Sequence, residues 1–227
     1  MSGFSTARQK MVDGQVRPSD VTDIRIIDAM LAVPREAFVP DDQRAMAYLD
    51  LDLRVGGDDS AKRFLIKPAV MARMLQAAEI KSSDHVLVVG CGTGYVAVVI
   101  ARFARQVTAT ESDPDLAAKA AAILKAAAAL AGTGGDQVTV RTAALADGDP
   151  ANSPYDVIFL NGATETVPDR LYGQLRDGGR LVGVFAQTSP PRATLVTRSH
   201  GDFGHRVLFD AAAPVLPGFE RVPTFVF

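Results

Sequence analysis

Three glycines at alternate positions form the stretch of the sequence best suited to hold a ligand. Gly90, Gly92 and Gly94 follow the apolar run 86–89 and precede a second apolar stretch that begins at Tyr95. A continuous apolar run bounded by glycine predicts a strand buried on both faces, as in a parallel sheet. Glycines let the backbone turn sharply with its amides close to a ligand. The next helix would point its unpaired N–H groups at the same place.

The spacing of these glycines points to one class of nucleoside. A dinucleotide-binding turn needs its third glycine three places after the second, where this chain has Tyr95. The G-x-G-x-G spacing instead resembles the S-adenosylmethionine loop of Rossmann-like methyltransferases. Glu111 ends the next predicted strand, about 20 residues after Gly90, where an acid can accept hydrogen bonds from ribose hydroxyls. The alternative is a tight strand-to-helix turn followed by a surface glutamate.

Other chemistries have little support in the sequence. His85, His200 and His205 show no metal-binding spacing, so no metal is expected. The chain has neither the G-x-S-x-G elbow of hydrolases nor a G-x-x-x-x-G-K-[ST] phosphate loop. The one cysteine, Cys91, leaves no internal disulfide and no multi-cysteine zinc site, which fits a reducing cytosol.

Composition and charge fit an ordinary globular protein of one domain. The chain has 227 residues, of which 48% are hydrophobic and 22% charged. Its formal net charge of −2 gives no global field that would attract nucleic acid or an anionic membrane. The first twenty residues are too polar for a signal peptide, and no apolar run reaches the roughly 18 residues of a membrane span. We therefore expect a cytoplasmic protein.

Strand and helix patterns alternate from Val86 onward. The predicted strands are 86–90, 107–111, 138–142, 156–161 and 180–186, and the predicted helices are 95–105, 114–131 and 167–175. Segments 193–198 and 205–210 predict a closing antiparallel pair. Such alternation indicates a doubly wound α/β sheet with right-handed crossovers.

The first 80 residues form an addition to this core. A helical pattern starts near residue 21, where Asp20 or Thr22 could cap it, and Pro34 ends it. Residues 36–40 predict a short extended piece, and Pro68 suits the first turn of another helix. We expect one domain over 1–227, with 1–80 as the N-terminal addition and substrate-side loop and 81–227 as the Rossmann-like core.

Ligands in open parallel sheets bind outside the carboxyl ends of the strands. This rule gathers the glycine turn 90–94, Glu111, and segments 143–145 and 161–165 at one edge of the sheet. The polar loop 57–67 runs into the helix just before the first core strand, so it could cover that edge.

Segments along nearly the whole chain carry a family resemblance. Residues 11–17, 23–30 and 33–40 resemble the N-terminal signature of protein-L-isoaspartate O-methyltransferases, and 68–74, 86–95, 155–158, 167–168 and 175–182 follow in that family's order. The resemblance implies a Rossmann-like class I methyltransferase whose mostly parallel seven-stranded sheet has an antiparallel strand near its end. It also implies methyl transfer from S-adenosyl-L-methionine to the free carboxylate of isoaspartyl residues, a protein repair reaction whose partners are damaged proteins.

The implied cofactor-binding residues are the glycine turn and its neighbours, the acid after the next strand, and two residues after the third strand. They are Gly90, Cys91, Gly92, Thr93, Gly94, Tyr95, Glu111, Ser112, Ala144 and Leu145.

The chain departs from the family pattern at three places. The family has an acid where this chain has Val88, a serine near the substrate where it has Ile66, and Gly-Asp-Gly where it has 143–145. The catalytic residues are therefore undetermined, and Ser60 and Lys67 are the candidates from the polar loop. Lys62 and Arg63 could also pair with a substrate carboxylate. Two alternatives stay open: a methyltransferase with another substrate, and a binding protein that has lost methyl transfer.

Overall fold

The computed structural model describes residues 3–56, 62–128 and 135–221. Its helices are α1 Gly3–Met11, α2 Ile24–Ala32, α3 Pro68–Ala78, α4 Tyr95–Ala101, α5 Pro114–Ala128 and α6 Asp169–Tyr172. Its strands are β1 Leu53–Gly56, β2 Arg63–Leu65, β3 His85–Val89, β4 Gln106–Glu111, β5 Val138–Thr142, β6 Tyr155–Thr164, β7 Leu175–Phe185, β8 Arg192–Ser199 and β9 Asp202–Asp210.

Seven of these strands form one sheet in the order β5-β4-β3-β6-β7-β8-β9. The pairs from β5 to β7 are parallel, and β8 and β9 close the sheet in antiparallel pairs. The predicted doubly wound, mostly parallel fold is confirmed. The chain leaves β3 toward β4 on one side and later adds β6 on the other, so the strand order reverses between β3 and β6. Such a reversal opens a crevice at the carboxyl ends of the strands.

Both faces of the sheet are covered, which explains the unbroken apolar run of β3. Side chains alternate along a strand, so Val86 and Val88 pack into one core with the N-terminal helices and α4. Leu87 and Val89 pack into a second core with α6 and the segment after β9. All four side chains are fully buried.

The N-terminal addition differs from its predicted structure in three ways. Residues 36–40 do not form an extended piece, because Arg35–Phe38 is a 3₁₀ helix that buries Arg35. The cap of α2 is Asp23, whose side chain accepts a hydrogen bond from the Arg25 amide, rather than Asp20 or Thr22. Residues 3–16, for which the sequence analysis predicts no helix, form α1 and a following π-helical turn.

Two predicted helices in the core are shorter than expected. α4 ends at Ala101 instead of residue 105, and α6 covers only Asp169–Tyr172 of the predicted 167–175. The predicted helix 114–131 is observed to Ala128, and the rest of it lies outside the described residues. None of the helices within the described ranges is long and apolar enough to cross a membrane.

Candidate functional site

The glycine turn lies directly after β3, at the edge where the strand order reverses. Gly90, Gly92 and Gly94 have φ values of +74°, +57° and +96°. These values lie in the left-handed region that glycine adopts at little cost. The Gly90 and Cys91 amides both donate to the Thr110 carbonyl at 3.0 Å, which fastens the turn to β4. The spacing of the glycines therefore reflects the backbone conformation that the turn requires.

The Glu111 carboxylate lies against this turn and is fully buried. Its Oε2 accepts the Gly92 amide at 3.0 Å. Its Oε1 accepts the amides of Ser112 at 2.8 Å and Asp113 at 3.3 Å. The acid predicted from its distance to the glycines is thus next to them in space. The alternative of a surface glutamate is wrong.

A fourth donor reaches the same carboxylate from the N-terminal addition. Arg63 Nε lies 2.7 Å from Glu111 Oε1, and the two side chains are 2% and 0% exposed. The Nη2 of Arg63 also donates to Ser112 Oγ at 2.5 Å. Arg63 belongs to the segment predicted as a polar loop, and its pairing with Glu111 was not predicted. No local pattern could have revealed it, because 48 residues separate the two partners.

The end of β6 and the segment after β9 border the crevice on its other side. Asn161 Nδ2 donates to the Gly90 carbonyl at 2.9 Å across the point of reversal. Beyond it, the Ala163 amide donates to Pro214 O at 2.8 Å and the Leu216 amide donates to Ala163 O at 2.9 Å. These bonds hold residues 214–216 beside the end of β6, immediately above the glycine turn.

Aliphatic side chains cover the glycines themselves. A Cβ built on Gly90 would lie 2.6 Å from Leu216 Cδ2 and 3.4 Å from Leu145 Cδ1. A Cβ on Gly92 would lie 3.3 Å from Val55 Cγ2. The cavity left between β2, the turn and residues 214–216 measures about 10 Å³. That is about the space of one water molecule, so this cavity, as the described residues line it, holds a nucleoside only if some of these side chains move.

The predicted residues on either side of Gly94 face the N-terminal addition. Thr93 Oγ1 donates to the Phe38 carbonyl at 2.6 Å. The rings of Tyr95 and Phe38 make a T-shaped contact with 5.4 Å between centroids, and the Tyr95 ring centroid lies 4.9 Å from the Arg35 guanidinium carbon. Both residues are fully buried. Their contacts attach the 1–80 addition to the glycine turn.

The thiol of Cys91 is buried inside the turn. Burial raises its pKa, and the nearby charge of Glu111 raises it further. The thiol is therefore protonated at neutral pH and unreactive. Within the described residues, no group of three or more histidine, cysteine, aspartate or glutamate side chains could hold a metal ion.

The position of the family serine is occupied by a buried aliphatic residue. Ile66 is 2% exposed, and its carbonyl accepts a hydrogen bond from Arg35 Nη2 at 3.0 Å. The neighbouring Lys67 is half-buried, and its amide donates to Asp52 Oδ1 at 2.9 Å. Burial raises the pKa of Asp52. The other candidate, Ser60, lies outside the described residues.

The two predicted residues after β5 lie near the crevice in different environments. Ala144 is exposed and precedes a 3₁₀ turn, whereas Leu145 is buried against the glycine turn. The Ser112 amide donates to Glu111 Oε1, and the Ser112 hydroxyl oxygen accepts a hydrogen bond from Arg63 Nη2. Val88, which stands where the family has an acid, is fully buried in the sheet core. Its aliphatic side chain cannot accept a hydrogen bond from the cofactor.

Comparisons with known proteins place these features in one family. The model of the family described as Protein-L-isoaspartate(D-aspartate) O-methyltransferase matches residues 6–205. A curated relative of that name from Opitutus terrae is 37% identical over 198 residues, which is 86% of this chain and 79% of the relative. Another from Rhodopseudomonas palustris is 36% identical over 212 residues, covering 92% and 93%.

Solved structures show the same fold. A protein-L-isoaspartate O-methyltransferase superimposes with a TM-score of 0.80 at 24% identity, over 93% of this chain and 66% of that one. A Plasmodium falciparum protein, described as a putative member in complex with S-adenosyl-L-homocysteine, gives a TM-score of 0.76 at 16% identity, over 95% and 99%. At these identities the two structures establish the fold alone.

The fold and the site together define a Rossmann-like methyltransferase. The chain belongs to the protein-L-isoaspartate(D-aspartate) O-methyltransferase family. The family and enzyme class predicted from the sequence are therefore confirmed. Methyl transfer to isoaspartyl carboxylates with S-adenosylmethionine, the predicted reaction, is the activity for which this family is named.

Proposed function

We propose that this protein transfers the methyl group of S-adenosylmethionine to the free carboxylate of isoaspartyl residues in damaged proteins. The observation that carries the proposal is the joint placement of Glu111 and the Gly92 amide, 3.0 Å apart, at the carboxyl ends of β4 and β3. An acid beside a glycine turn at that edge is the arrangement that binds a ribose. Family membership over most of the chain supports the same activity.

The donors and acceptors present fit the cofactor. Glu111 would accept the ribose hydroxyls, and the Gly90–Gly94 turn would let the rest of the nucleoside approach the backbone. Leu145, with Ala144 and Ser112 beside it, would line the base side of the site. The fit requires space as well, so Arg63 and Leu216 must withdraw from the turn.

The chain has little bond chemistry of its own to perform. The cofactor supplies an activated methyl group on a sulfonium. A carboxylate acceptor is already ionised at neutral pH, so no side chain has to remove a proton. The protein must mainly hold the two groups in line and exclude water, and positioning alone can contribute about 7–11 kcal/mol. Lys67, half-buried directly before α3, is the candidate for attracting an anionic acceptor.

We assign the two parts of the chain different roles in the proposed reaction. Residues 1–80 would form the substrate side, because Ile66, at the position of the family serine, lines the cavity beside the glycine turn. Residues 81–227 would form the cofactor side, and together the two parts would make one domain. A cytoplasmic location is consistent with the single buried cysteine.

The decisive experiment is transfer of a radiolabelled methyl group to an isoaspartyl peptide, with the matching normal aspartyl peptide as control. The proposal predicts base-labile label on the isoaspartyl peptide alone. Equal label on both peptides, or label on neither, contradicts it.

One observation favours a second candidate, a methyltransferase with another acceptor. Ile66 replaces the family serine with a side chain that cannot donate a hydrogen bond, and it is 2% exposed. A hydrogen bond to a charged group contributes roughly 1.5–3 kcal/mol. Bound S-adenosylmethionine without esterification of isoaspartyl peptide would support this candidate. Failure to bind the nucleoside in any variant would support a binding protein without transfer activity.

A further inference from the structure

One oxygen of the Glu111 carboxylate has no hydrogen-bonding capacity left for a ribose hydroxyl. Three donors converge on Oε1, the backbone amides of Ser112 and Asp113 and Arg63 Nε, whereas the Gly92 amide donates to Oε2. An ionised carboxylate offers about four lone-pair sites, two on each oxygen. A ribose whose two hydroxyls bind one carboxylate oxygen each can therefore reach Oε1 only by replacing a donor that is already present.

Of these four donors, the guanidinium is the one that can leave. The three amides belong to the glycine turn and to the backbone directly after β4, which the sheet holds in place. Arg63 belongs to β2, a strand of three residues in a separate two-stranded sheet. Its long side chain can change rotamer without breaking any hydrogen bond of the large sheet. Arg63 is thus the exchangeable ligand of Glu111.

Arg63 also borders the small cavity beside the glycine turn. With Lys62, Phe64 and Ile66 it lines the cavity of about 10 Å³ that Gly90 lines as well. Ile66, at the family's substrate-side position, lies three residues along the same segment. Arg63 therefore lies between the predicted cofactor side and the predicted substrate side.

We propose that Arg63 is an internal competitor for the nucleoside: its guanidinium takes the place of the ribose hydroxyls on Glu111 and must be displaced for the cofactor to bind. This inference rests on the proposed function, because it assumes the same nucleoside site. In the exchange the Glu111 carboxylate passes from one set of donors to another, while Arg63 gives up its bonds to Glu111 and Ser112. The apparent affinity equals the intrinsic affinity multiplied by the fraction of molecules in which Arg63 has left the carboxylate.

The test is titration calorimetry of S-adenosylhomocysteine into the wild-type protein and the Arg63→Gln variant. Glutamine is shorter and uncharged, so it gives up the ion pair with Glu111. We expect the variant to bind the nucleoside at least about tenfold more tightly. Equal or weaker binding by Arg63→Gln, or no binding by it at all, overturns the inference.

A matched control separates competition from the general effect of losing a buried ion pair. Arg180 Nη2 lies 2.8 Å from Asp84 Oδ2, and these side chains are 13% and 1% exposed. This pair lies at the opposite, amino-terminal edge of the strands. Arg180→Gln should leave the affinity for S-adenosylhomocysteine unchanged. A comparable gain in both variants would contradict a specific role for Arg63.

Hydrogen exchange of the wild-type protein keeps the inference testable if Arg63→Gln does not fold. Addition of S-adenosylhomocysteine should slow amide exchange at Gly90–Gly94 and speed it in β2, because β2 loses its anchor on Glu111. Slower exchange in both segments would mean that Arg63 stays in place, which overturns the inference.

These outcomes are distinct from failure of the proposed function. Tighter binding by Arg63→Gln without esterification of isoaspartyl peptide would support the competitor role of Arg63 and contradict the proposed reaction. Esterification by the wild-type protein without tighter binding by the variant would support the proposed reaction and contradict the competitor role.

Discussion

The Thr93 hydroxyl donates a hydrogen bond of 2.6 Å to the carbonyl of Phe38, a residue 55 positions earlier in the chain. Thr93 lies inside the glycine turn, and Phe38 ends the 3₁₀ helix of the N-terminal addition. One buried contact therefore joins the predicted cofactor side to the predicted substrate side. The edge of Phe38 also meets the Tyr95 ring. The addition and the turn should consequently unfold together.

The Thr93→Val substitution tests this connection. Valine keeps the shape of threonine but leaves the buried Phe38 carbonyl without its donor, which should cost about 1–3 kcal/mol of unfolding free energy. Urea unfolding followed by circular dichroism measures the loss. Thr139→Val, at an exposed position of β5, is the control and should change stability by less than about 0.5 kcal/mol. Equal effects at both sites would refute a structural role for the hydroxyl.

The Arg63–Glu111 pair gives a second prediction, on stability rather than binding. Glu111→Gln removes the carboxylate partner of the buried Arg63 charge and should destabilise the protein by about 3–5 kcal/mol. Adding Arg63→Gln removes that charge, so the double variant should be more stable than the sum of the single effects predicts. Denaturant unfolding of the four proteins in this double-mutant cycle measures the coupling.

The same cycle on Arg170 and Asp147 is the control. These partners are 76% and 48% exposed, and exposed pairs typically contribute about 0.2–1 kcal/mol. A coupling at Arg63–Glu111 no larger than at the exposed pair would show that burial does not strengthen the interaction.

Local patterns in the sequence predicted the glycine turn and the position of Glu111 beside it. The alternate glycines predicted a turn that only such residues adopt easily, and all three have positive φ. Glu111 could be placed because parallel strands end at one edge, so an acid after the second strand must come near the first turn. Both inferences use only periodicity and the geometry of parallel sheets.

The closed crevice could not be predicted in the same way. Arg63 and Leu216 reach the turn from segments far from it in sequence, and nothing in the local pattern of either segment specifies that contact. The extended piece at 36–40 was wrong for a related reason. Arg35 is buried there, with Nε donating to Ala47 O at 2.9 Å and Nη2 to Ile66 O at 3.0 Å. These tertiary bonds favour a 3₁₀ turn over the local preference for extension.

Replacement of Ile66 by the family serine is the third prediction. Ile66→Ser adds a hydroxyl at the predicted substrate side and should raise the rate of methyl transfer to an isoaspartyl peptide by roughly 10- to 100-fold, the equivalent of one charged hydrogen bond. The loss of buried apolar volume should cost about 2–4 kcal/mol of stability. Initial rates with radiolabelled cofactor measure the gain.

Ile66→Ala is the matched control for that experiment. It opens a similar space without adding a hydroxyl, so its rate should stay at or below that of the wild-type protein. If alanine accelerates transfer as much as serine does, the effect comes from space at the crevice and the hydroxyl has no role.

The last prediction concerns pH and His85, at the start of β3. Its Nε2 lies 2.9 Å from Thr108 Oγ1, and its ring lies 4.7 Å from that of Tyr155. Burial, and next the charge of Arg105, lower the pKa of His85 in the folded protein. Below the ordinary histidine pKa of about 6.5, His85 is therefore protonated in the unfolded chain while it is still neutral in the folded chain. The stability that His85 contributes is complete above that pH and falls as the pH drops through the interval down to the folded-state pKa.

The unfolding free energy measured across this interval should therefore decline less steeply for His85→Gln than for the wild-type protein. The control is His200→Asn, at an exposed histidine between β8 and β9, which should follow the wild-type slope. A parallel decline in His85→Gln would assign the pH dependence to other groups.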